Sequence, residues 1–408
     1  MKIWYVAAYD QPKGQSPRTW DFSVELARRG HEVTMFTNGY CHFTHKESLR
    51  DDELWRVEMV DGIRVVWLKT RPYVGNGLGR GLNMLDNVWR VLQSSKTLGD
   101  RPDVVLGPSV PLFTGWAAAR LAGRYRVPFI FEVRDVWPDA LVDIGGLKKN
   151  SLMYHVFRYV EKLMYRKAVR ISSTLPNLAD HVAGSGGDPA KIVCIPNGVD
   201  LALYNKPESY DGGAGRQLVV MYVGGFGLDH DVPTIIRAAK ILQDEGDQRF
   251  RFIVIGGGVR KAQCEEEARS YQLRNLEFRS PVPKTSLSEV QRDADILVAA
   301  ITDSKSYRFG LNLNKLCSYF ASARPVLFSG NPPNDPVAES GGGISVKAED
   351  PQAMVAGLRA LAQKEPDERI RMGESGRRYA QTTLSMEALG GRMEKMLASA
   401  IAEFPRRA

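Results

Sequence analysis

Short apolar runs alternate with longer amphipathic stretches along most of the chain. Residues 3–8 are continuously apolar, as a strand buried on both faces requires. A polar loop at 10–15 follows. Ser16-Pro17 is placed to start a helix, Ser as N-cap and Pro at the first helical position. Phe22, Leu26 and Ala27 share its inward face, Gly30 ends it, and 32–37 is the next strand. Strand, helix, strand predicts a right-handed parallel crossover. Residues 56–60 and 63–68, joined by Asp61-Gly62, predict a hairpin with a type I′ turn. Helices over 78–98 and 111–125 alternate with strands over 103–107 and 128–133. A long amphipathic helix spans 151–169, and a strand over 191–195 closes this half.

A linker at 206–215, rich in Pro, Gly and charge, precedes a second alternation. Strands over 217–223, 250–255 and 276–278 are separated by helical stretches; the first of these has Ile235, Ile236, Ala239 and Leu242 inward. Ser286 and Glu289 have the spacing of a capping box. The stretch 306–327 is a loop, a short helix, a turn at Arg324-Pro325 and a buried strand. Asn312 is placed to cap that helix and Lys315 lies on its first turn. Leu316, Tyr319 and Phe320 form one apolar face. The helix start, with its N–H groups and positive end, is an anion site in waiting. Two βα blocks in series place the chain in the α/β class.

Composition adds bounds. The 408 residues suit two or three domains, and 43% hydrophobic with 25% charged residues is the balance of a soluble globular protein. The net charge of +8 suits anionic partners such as nucleotide phosphates or lipid head groups. The four cysteines, Cys41, Cys194, Cys264 and Cys317, are widely spaced and read as reduced thiols of a cytosolic protein. The first apolar run is too short for a signal peptide, and no run approaches the ~18 apolar residues of a membrane span.

Candidate chemistry sits in the loops. Gly224-Gly225-Phe226-Gly227, between strand and helix, lets backbone approach phosphate. Gly256-Gly257-Gly258 with Arg260 resembles a dinucleotide fingerprint, but Lys261 stands where a Gly is needed and no ribose-binding acid follows the next strand. Cys41, His42 and His45 have no matching ligand pair, and Asp293-Ala294-Asp295 reads as a helix-to-strand junction, so no metal site is assigned. The strand over 128–133 runs into Glu132-Val133-Arg134-Asp135-Val136-Trp137-Pro138, at the end of a strand where functional groups collect. The helix over 151–169 is basic, with Lys148, Lys149, Arg158, Lys162, Arg166 and Lys167 beside Tyr154, Phe157 and Tyr165. It is either a surface for an anionic membrane or a core-packed helix with a solvated basic face.

Pro196-Asn197-Gly198-Val199-Asp200, the Glu132–Pro138 motif, and the 309–326 frame of Phe-Gly, Asn-Lys and Ala-x-Ala-x-Pro-Val resemble the family 4 retaining glycosyltransferases of GT-B fold. Within them the chain looks nearest to the O-antigen and capsule branch that includes the fucosamine transferase. The resemblance implies two Rossmann-like doubly wound domains facing across a cleft. These are an acceptor domain, 1–205 joined by the last helix at about 386–408, and a nucleotide-sugar domain, 206–385. The last helix has Met393, Met396, Leu397, Ile401 and Phe404 on its apolar face.

The implied activity is retaining transfer of a sugar, from a UDP-sugar by preference, to a glycan or lipid-linked acceptor in bacterial surface polysaccharide synthesis. Such a hexosyltransferase would be metal-independent and without a cofactor. It would be cytoplasmic, with peripheral contact to anionic membrane through 148–170, and would not bind nucleic acid. Lys315, Arg134, Asp135 and Glu132 are its catalytic candidates: Lys315 for the leaving diphosphate, Arg134 for a phosphate, Asp135 or Glu132 as proton acceptor. A buried Arg–Asp pair that only positions the loop is the alternative for Arg134. Donor contacts fall on Gly225, Phe226, Gly227, Gly257, Arg260, Val282, Pro283, Arg308, Gly310, Leu311, Asn312, Asn314 and Ser318. Acceptor contacts fall on Ser16, Arg18 and Trp137, with a solvated first-turn arginine the alternative for Arg18. The chain departs from the family pattern at Gly310 and Ser318, where Glu is usual, at Gly225 and His230, where Arg and Lys are usual, and at Ala323, where Gly is usual. A GT-B-fold sugar-nucleotide 2-epimerase and a non-catalytic nucleotide-binding scaffold are the other readings.

Overall fold

The computed structural model describes residues 1–14, 18–75, 77–143, 145–204 and 210–405. The chain divides into two units, residues 1–196 with 389–408, and residues 197–388.

In the first unit the elements are β1 (Lys2–Val6), α1 (Arg18–Arg28), β2 (Glu32–Asn38), β3 (Trp55–Val60), β4 (Ile63–Leu68), α2 (Leu78–Ser94), β5 (Val104–Pro108), α3 (Leu112–Tyr125), β6 (Phe129–Val133), α4 (Asp139–Asp143), α5 (Leu152–Lys167), β7 (Arg170–Ser173), α6 (Ala179–Gly184) and β8 (Ile192–Cys194). They build an eight-stranded sheet in the order β3-β4-β2-β1-β5-β6-β7-β8. Every pairing is parallel except β3 with β4. That exception is the expected hairpin: Asp61 and Gly62 have φ of 48° and 81°, as a type I′ turn demands. Ile3, Trp4, Tyr5 and Val6 are fully buried, because helices cover both faces of a parallel sheet. The Ser16-Pro17 helix start lies outside the described residues.

The second unit contains β9 (Leu218–Val223), α7 (Val232–Asp244), β10 (Phe250–Ile255), α8 (Lys261–Ser270), β11 (Leu276–Arg279), α9 (Leu287–Arg292), β12 (Ile296–Ala300), α10 (Asn314–Ala321), β13 (Val326–Ser329), α11 (Pro336–Ser340), β14 (Gly343–Val346), α12 (Pro351–Gln363) and α13 (Pro366–Tyr379). Its six strands are ordered β11-β10-β9-β12-β13-β14 and all pair in parallel. The last helix, α14 (Met386–Glu403), begins in this unit and packs against the first, where Gly390 approaches Glu25 and Glu394 binds Arg29 and His31.

In both units the first strand has neighbours reached in opposite directions: β1 pairs with β2 and β5, and β9 with β10 and β12. The crevice at the carboxyl ends of such strands is where open α/β sheets bind ligands.

Two local expectations are corrected. Asn312 does not cap α10; Leu313 stands at the N-cap without a side-chain bond, and Asn312 Oδ1 instead accepts from the Asn197 amide at 2.9 Å. The chain turns into the helix one residue later, leaving the Asn312 amide free to pin the 197–200 segment. The Ser286 capping box does not form, because a 3₁₀ turn at Lys284–Ser286 runs directly into α9 and gives Ser286 a helical ψ of −1°.

Candidate active site

In the second unit the carboxyl ends of β9 and β10 carry the two Gly-rich loops, pressed backbone to backbone. Phe226 N donates to Gly257 O at 2.9 Å, and Arg260 N to Phe226 O at 3.1 Å. A Cβ on Gly256 would lie 1.8 Å from Gly224 O, and one on Gly258 2.8 Å from Phe226 N. Glycine is required there by close approach, whatever binds above.

The ammonium of Lys315 lies over this junction. A Cβ on Gly224 would sit 3.1 Å from Lys315 Nζ. Nζ donates to Tyr222 Oη at 2.8 Å and lies 4.3 Å from the centroid of the Tyr222 ring. Among the described residues no carboxylate forms an ion pair with it. Burial lowers its pKa from 10.5 to about 7, against a smaller upward pull from Asp229. His230 Nδ1 lies 2.7 Å from Gly225 O, and burial and then Lys315 lower its pKa. Lys315 belongs to the first turn of α10, whose N-terminus has no side-chain cap. Gly310, at φ 113° and ψ 168°, shapes the approach to that turn in a region only glycine enters readily. Asn314 is exposed at the first helical position.

The other donor candidates divide by exposure. Phe226 and Leu311 are core residues, 1% and 4% exposed, so only their backbone is left for a ligand. Val282 is half-buried against the core, while Pro283 is exposed beside it. Arg260 is half-buried ahead of α8. Arg308 is exposed, donates to Lys305 O at 2.7 Å and stacks on Phe309 at 4.6 Å. Ser318 is withdrawn: its hydroxyl donates to Lys315 O at 2.8 Å and accepts from the Gln291 amide at 3.1 Å.

In the first unit the Glu132–Pro138 motif follows β6, and its charges turn inward. Arg134 donates to Glu132 at 2.7 Å, to Asp10 at 2.6 Å and to Thr19 Oγ1 at 2.6 Å. Arg18 donates to Glu132 at 2.9 Å and to the carbonyls of Pro196 and Ile195 at 2.8 and 2.7 Å. Glu132 is fully buried between the two arginines. Burial alone would raise its pKa, yet Arg134 and Arg18 hold it at about 2. Such a carboxylate is no proton acceptor for an incoming hydroxyl, which corrects that expectation. The buried pair foreseen for Arg134 exists, with Asp10 and Glu132 in place of Asp135. The Asp135 carboxylate is on the exposed tip, where Ser109 Oγ donates to its backbone carbonyl at 2.8 Å. Trp137 is buried, 5.9 Å from Phe157 and 5.7 Å from the Arg80 guanidinium. Ser16 lies outside the described residues. Asp10, Thr19 and Tyr222 were missed as members of these clusters; the signal for Asp10 was an acid directly after the first strand.

Two family models match in series: "Glycosyl transferase 4-like domain" over residues 13–198 and "Glycosyl transferases group 1" over 211–379. The chain belongs to this family of glycosyltransferases. It is 21% identical over 269 residues to the putative colanic acid biosynthesis glycosyl transferase WcaI of Escherichia coli K12, a match spanning 62% of this chain and 64% of that relative. Solved structures share the fold. Sucrose-phosphate synthase of Thermosynechococcus elongatus superposes with a TM-score of 0.74 at 16% identity, over 98% of this chain and 99% of that one. Anabaena HepE in complex with UDP superposes with a TM-score of 0.70 at 13% identity, over 98% and 100%. The architecture is therefore GT-B, with two Rossmann-like domains.

Proposed function

We propose that the protein is a retaining, metal-independent hexosyltransferase that moves a sugar from a UDP-sugar to a glycan or lipid-linked acceptor in bacterial surface polysaccharide synthesis. The observation that carries the reading is Lys315, a cation with no carboxylate ion pair among the described residues, at an uncapped helix start, over a Gly-rich loop. The polysaccharide context is supported by the colanic acid relative, and the uridine nucleotide by the UDP bound to HepE.

The donor diphosphate is assigned to Lys315, the first-turn N–H groups of α10 and the backbone at 225–227 and 257, with Arg260 and Arg308 at its margin. Nucleotide contacts fall to Val282 and Pro283. In the reaction the bond from the anomeric carbon to the diphosphate oxygen breaks. The acceptor oxygen bonds to that carbon on the same face, and its proton passes to the departing diphosphate or to Asp135. Positive charge at Lys315 favours the developing diphosphate charge, the largest contribution such a site can make. The acceptor is assigned to the carboxyl edge of the first unit's sheet, near Asp135. Arg134, Arg18 and Glu132 form its rigid floor. The protein would work at the inner face of the membrane, meeting anionic lipid through residues 148–170.

The test is a thermal-shift screen of nucleotide sugars followed by product detection with lipid-pyrophosphate-linked sugars. Stabilisation by UDP-sugars and acceptor-dependent release of UDP are expected. An epimerised sugar nucleotide formed without acceptor would replace this reading with a 2-epimerase. Stabilisation without any sugar release would leave a binding protein.

A further inference from the structure

A cluster of rings at the carboxyl edge of the first unit's sheet stands apart from the Glu132 charge network. Tyr9 follows β1, His42 follows β2 and Tyr73 follows β4, and these parallel strands bring the three loops to one edge. Arg80, on the first turn of α2, joins them. The His42 ring stacks on Tyr9 at 4.7 Å, and its Nδ1 lies 2.6 Å from Tyr73 Oη. Arg80 Nε donates to Tyr9 Oη at 2.9 Å, and its guanidinium lies 5.2 Å from the Tyr9 ring centroid and 5.7 Å from that of Trp137. The cluster thereby reaches the Glu132–Pro138 motif. The tyrosines are buried, His42 is half-buried, and Phe43, 5.1 Å from His42, is 45% exposed.

The hydrogen bonds of this cluster run one way. An arginine only donates, so Tyr9 Oη accepts from Arg80 and must place its own proton elsewhere. Tyr73 is its hydrogen-bonded neighbour, and Tyr73 in turn reaches His42 Nδ1. The order that gives each buried phenol proton a partner is Arg80 to Tyr9, Tyr9 to Tyr73, and Tyr73 to His42 Nδ1. The reverse order would aim two donors at Tyr9 Oη and leave its own proton with no partner among the described residues. Nδ1 is therefore an acceptor, and Nε2 carries the proton of the ring. Among the described residues that Nε2 has no hydrogen-bond partner. Burial, then Arg80 and His45, lower the His42 pKa from 6.5 to about 4, so the ring stays neutral around pH 7.

A phosphate draws on charged donors, whereas one uncharged N–H beside an exposed ring suits the oxygens and the apolar C–H face of a sugar. We propose that His42 is an acceptor-binding residue: Nε2–H donates to an oxygen of the acceptor sugar, and the Phe43 ring packs against that sugar's C–H face. Tyr73, Tyr9 and Arg80 act through His42, as positioning residues that fix its ring and its tautomer. The proposal rests on the acceptor reading of this edge, and adds the side chain that recognises the sugar and the kind of group it recognises. Such a site discriminates, because an acceptor lacking the matching oxygen leaves Nε2–H unpaired.

The test compares His42→Asn with His42→Gln in the full chain, with a UDP-sugar as donor and lipid-pyrophosphate-linked sugars as acceptors. An Asn side chain can accept from Tyr73 in place of Nδ1 but ends short of Nε2; a Gln side chain carries an N–H to the Nε2 position. His42→Asn should raise the acceptor KM about tenfold, the loss of one hydrogen bond to substrate, and leave UDP affinity and melting temperature unchanged. His42→Gln should recover most of that loss. A His42 that only packs would give the reverse order, Asn tolerated and Gln not, and would overturn the proposal. Nitrogen-15 NMR of the wild type at neutral pH should find the His42 proton on Nε2; a proton on Nδ1 overturns it as well. Wild-type transfer with an acceptor KM that neither variant moves sinks the role of His42 alone. A wild-type chain that transfers to no sugar sinks the transferase reading, and this proposal with it.

Discussion

The two carboxyl-edge clusters hold their cations in opposite ways. In the first unit Arg134 and Arg18 are closed in by Glu132, Asp10, Thr19 and two carbonyls, so their charge is answered from within. In the second unit Lys315 has a tyrosine hydroxyl and a ring face, neither of which balances an ammonium. Removing one member of a closed buried network strands a charge, so its residues belong to the fold. An unanswered cation weakens the empty protein and strengthens any complex with an anion. The motif that looked most chemical, Glu132-Val133-Arg134, is thereby structural at its two charged residues. The modest Asn314-Lys315 is where we propose the chemistry takes place.

The largest break in this comparison is Glu132→Gln. It leaves Arg18 and Arg134 buried with half their compensation, and should cost about 3–5 kcal/mol in denaturant unfolding. A loss near zero would mean the network is solvated. Lys315→Met should leave stability unchanged or higher yet lower turnover about 100-fold or more. Equal losses of stability in the two variants would erase the contrast.

The pH responses should also part. Glu132 has a folded pKa of about 2 against an ordinary 4.5, so its stabilisation is present above 4.5 and lost as pH falls toward 2. Lys315 has a folded pKa of about 7 against 10.5, so the penalty of charging it is full below 7 and relieved as pH rises toward 10.5. A stability-against-pH curve should therefore keep its acid limb but lose its alkaline rise in Lys315→Met. The smallest effect sits at the end of α10. Ala323 has φ of 55°, so Ala323→Gly should add about 1 kcal/mol of stability with activity unchanged.

Much of the fold was legible because each strand is a continuous apolar run between amphipathic helices. The hairpin at Asp61-Gly62 followed from local sterics. The place of Lys315 on the first turn of α10 was legible from the pattern. The helix start was misplaced by a residue because Asn312 serves Asn197, a partner over a hundred positions away. Phe226 and Leu311 looked like loop residues until tertiary packing drew them into the core. The inward turn of Arg134 depended on Asp10 and Thr19 arriving from another strand end, which spacing within one motif does not reveal.

The central claim is that Lys315 is the cation reserved for the donor diphosphate. The most direct measurement is UDP-glucose affinity by calorimetry across the neutral range, for wild type and Lys315→Met, since this ligand's diphosphate stays fully ionised throughout. A protonated Lys315 should bind best, so wild-type affinity should fall as pH rises above about 7, by up to about tenfold per unit. Lys315→Met should bind weakly at every pH, with no such slope. A variant that matches the wild type in affinity and in pH slope would contradict the account.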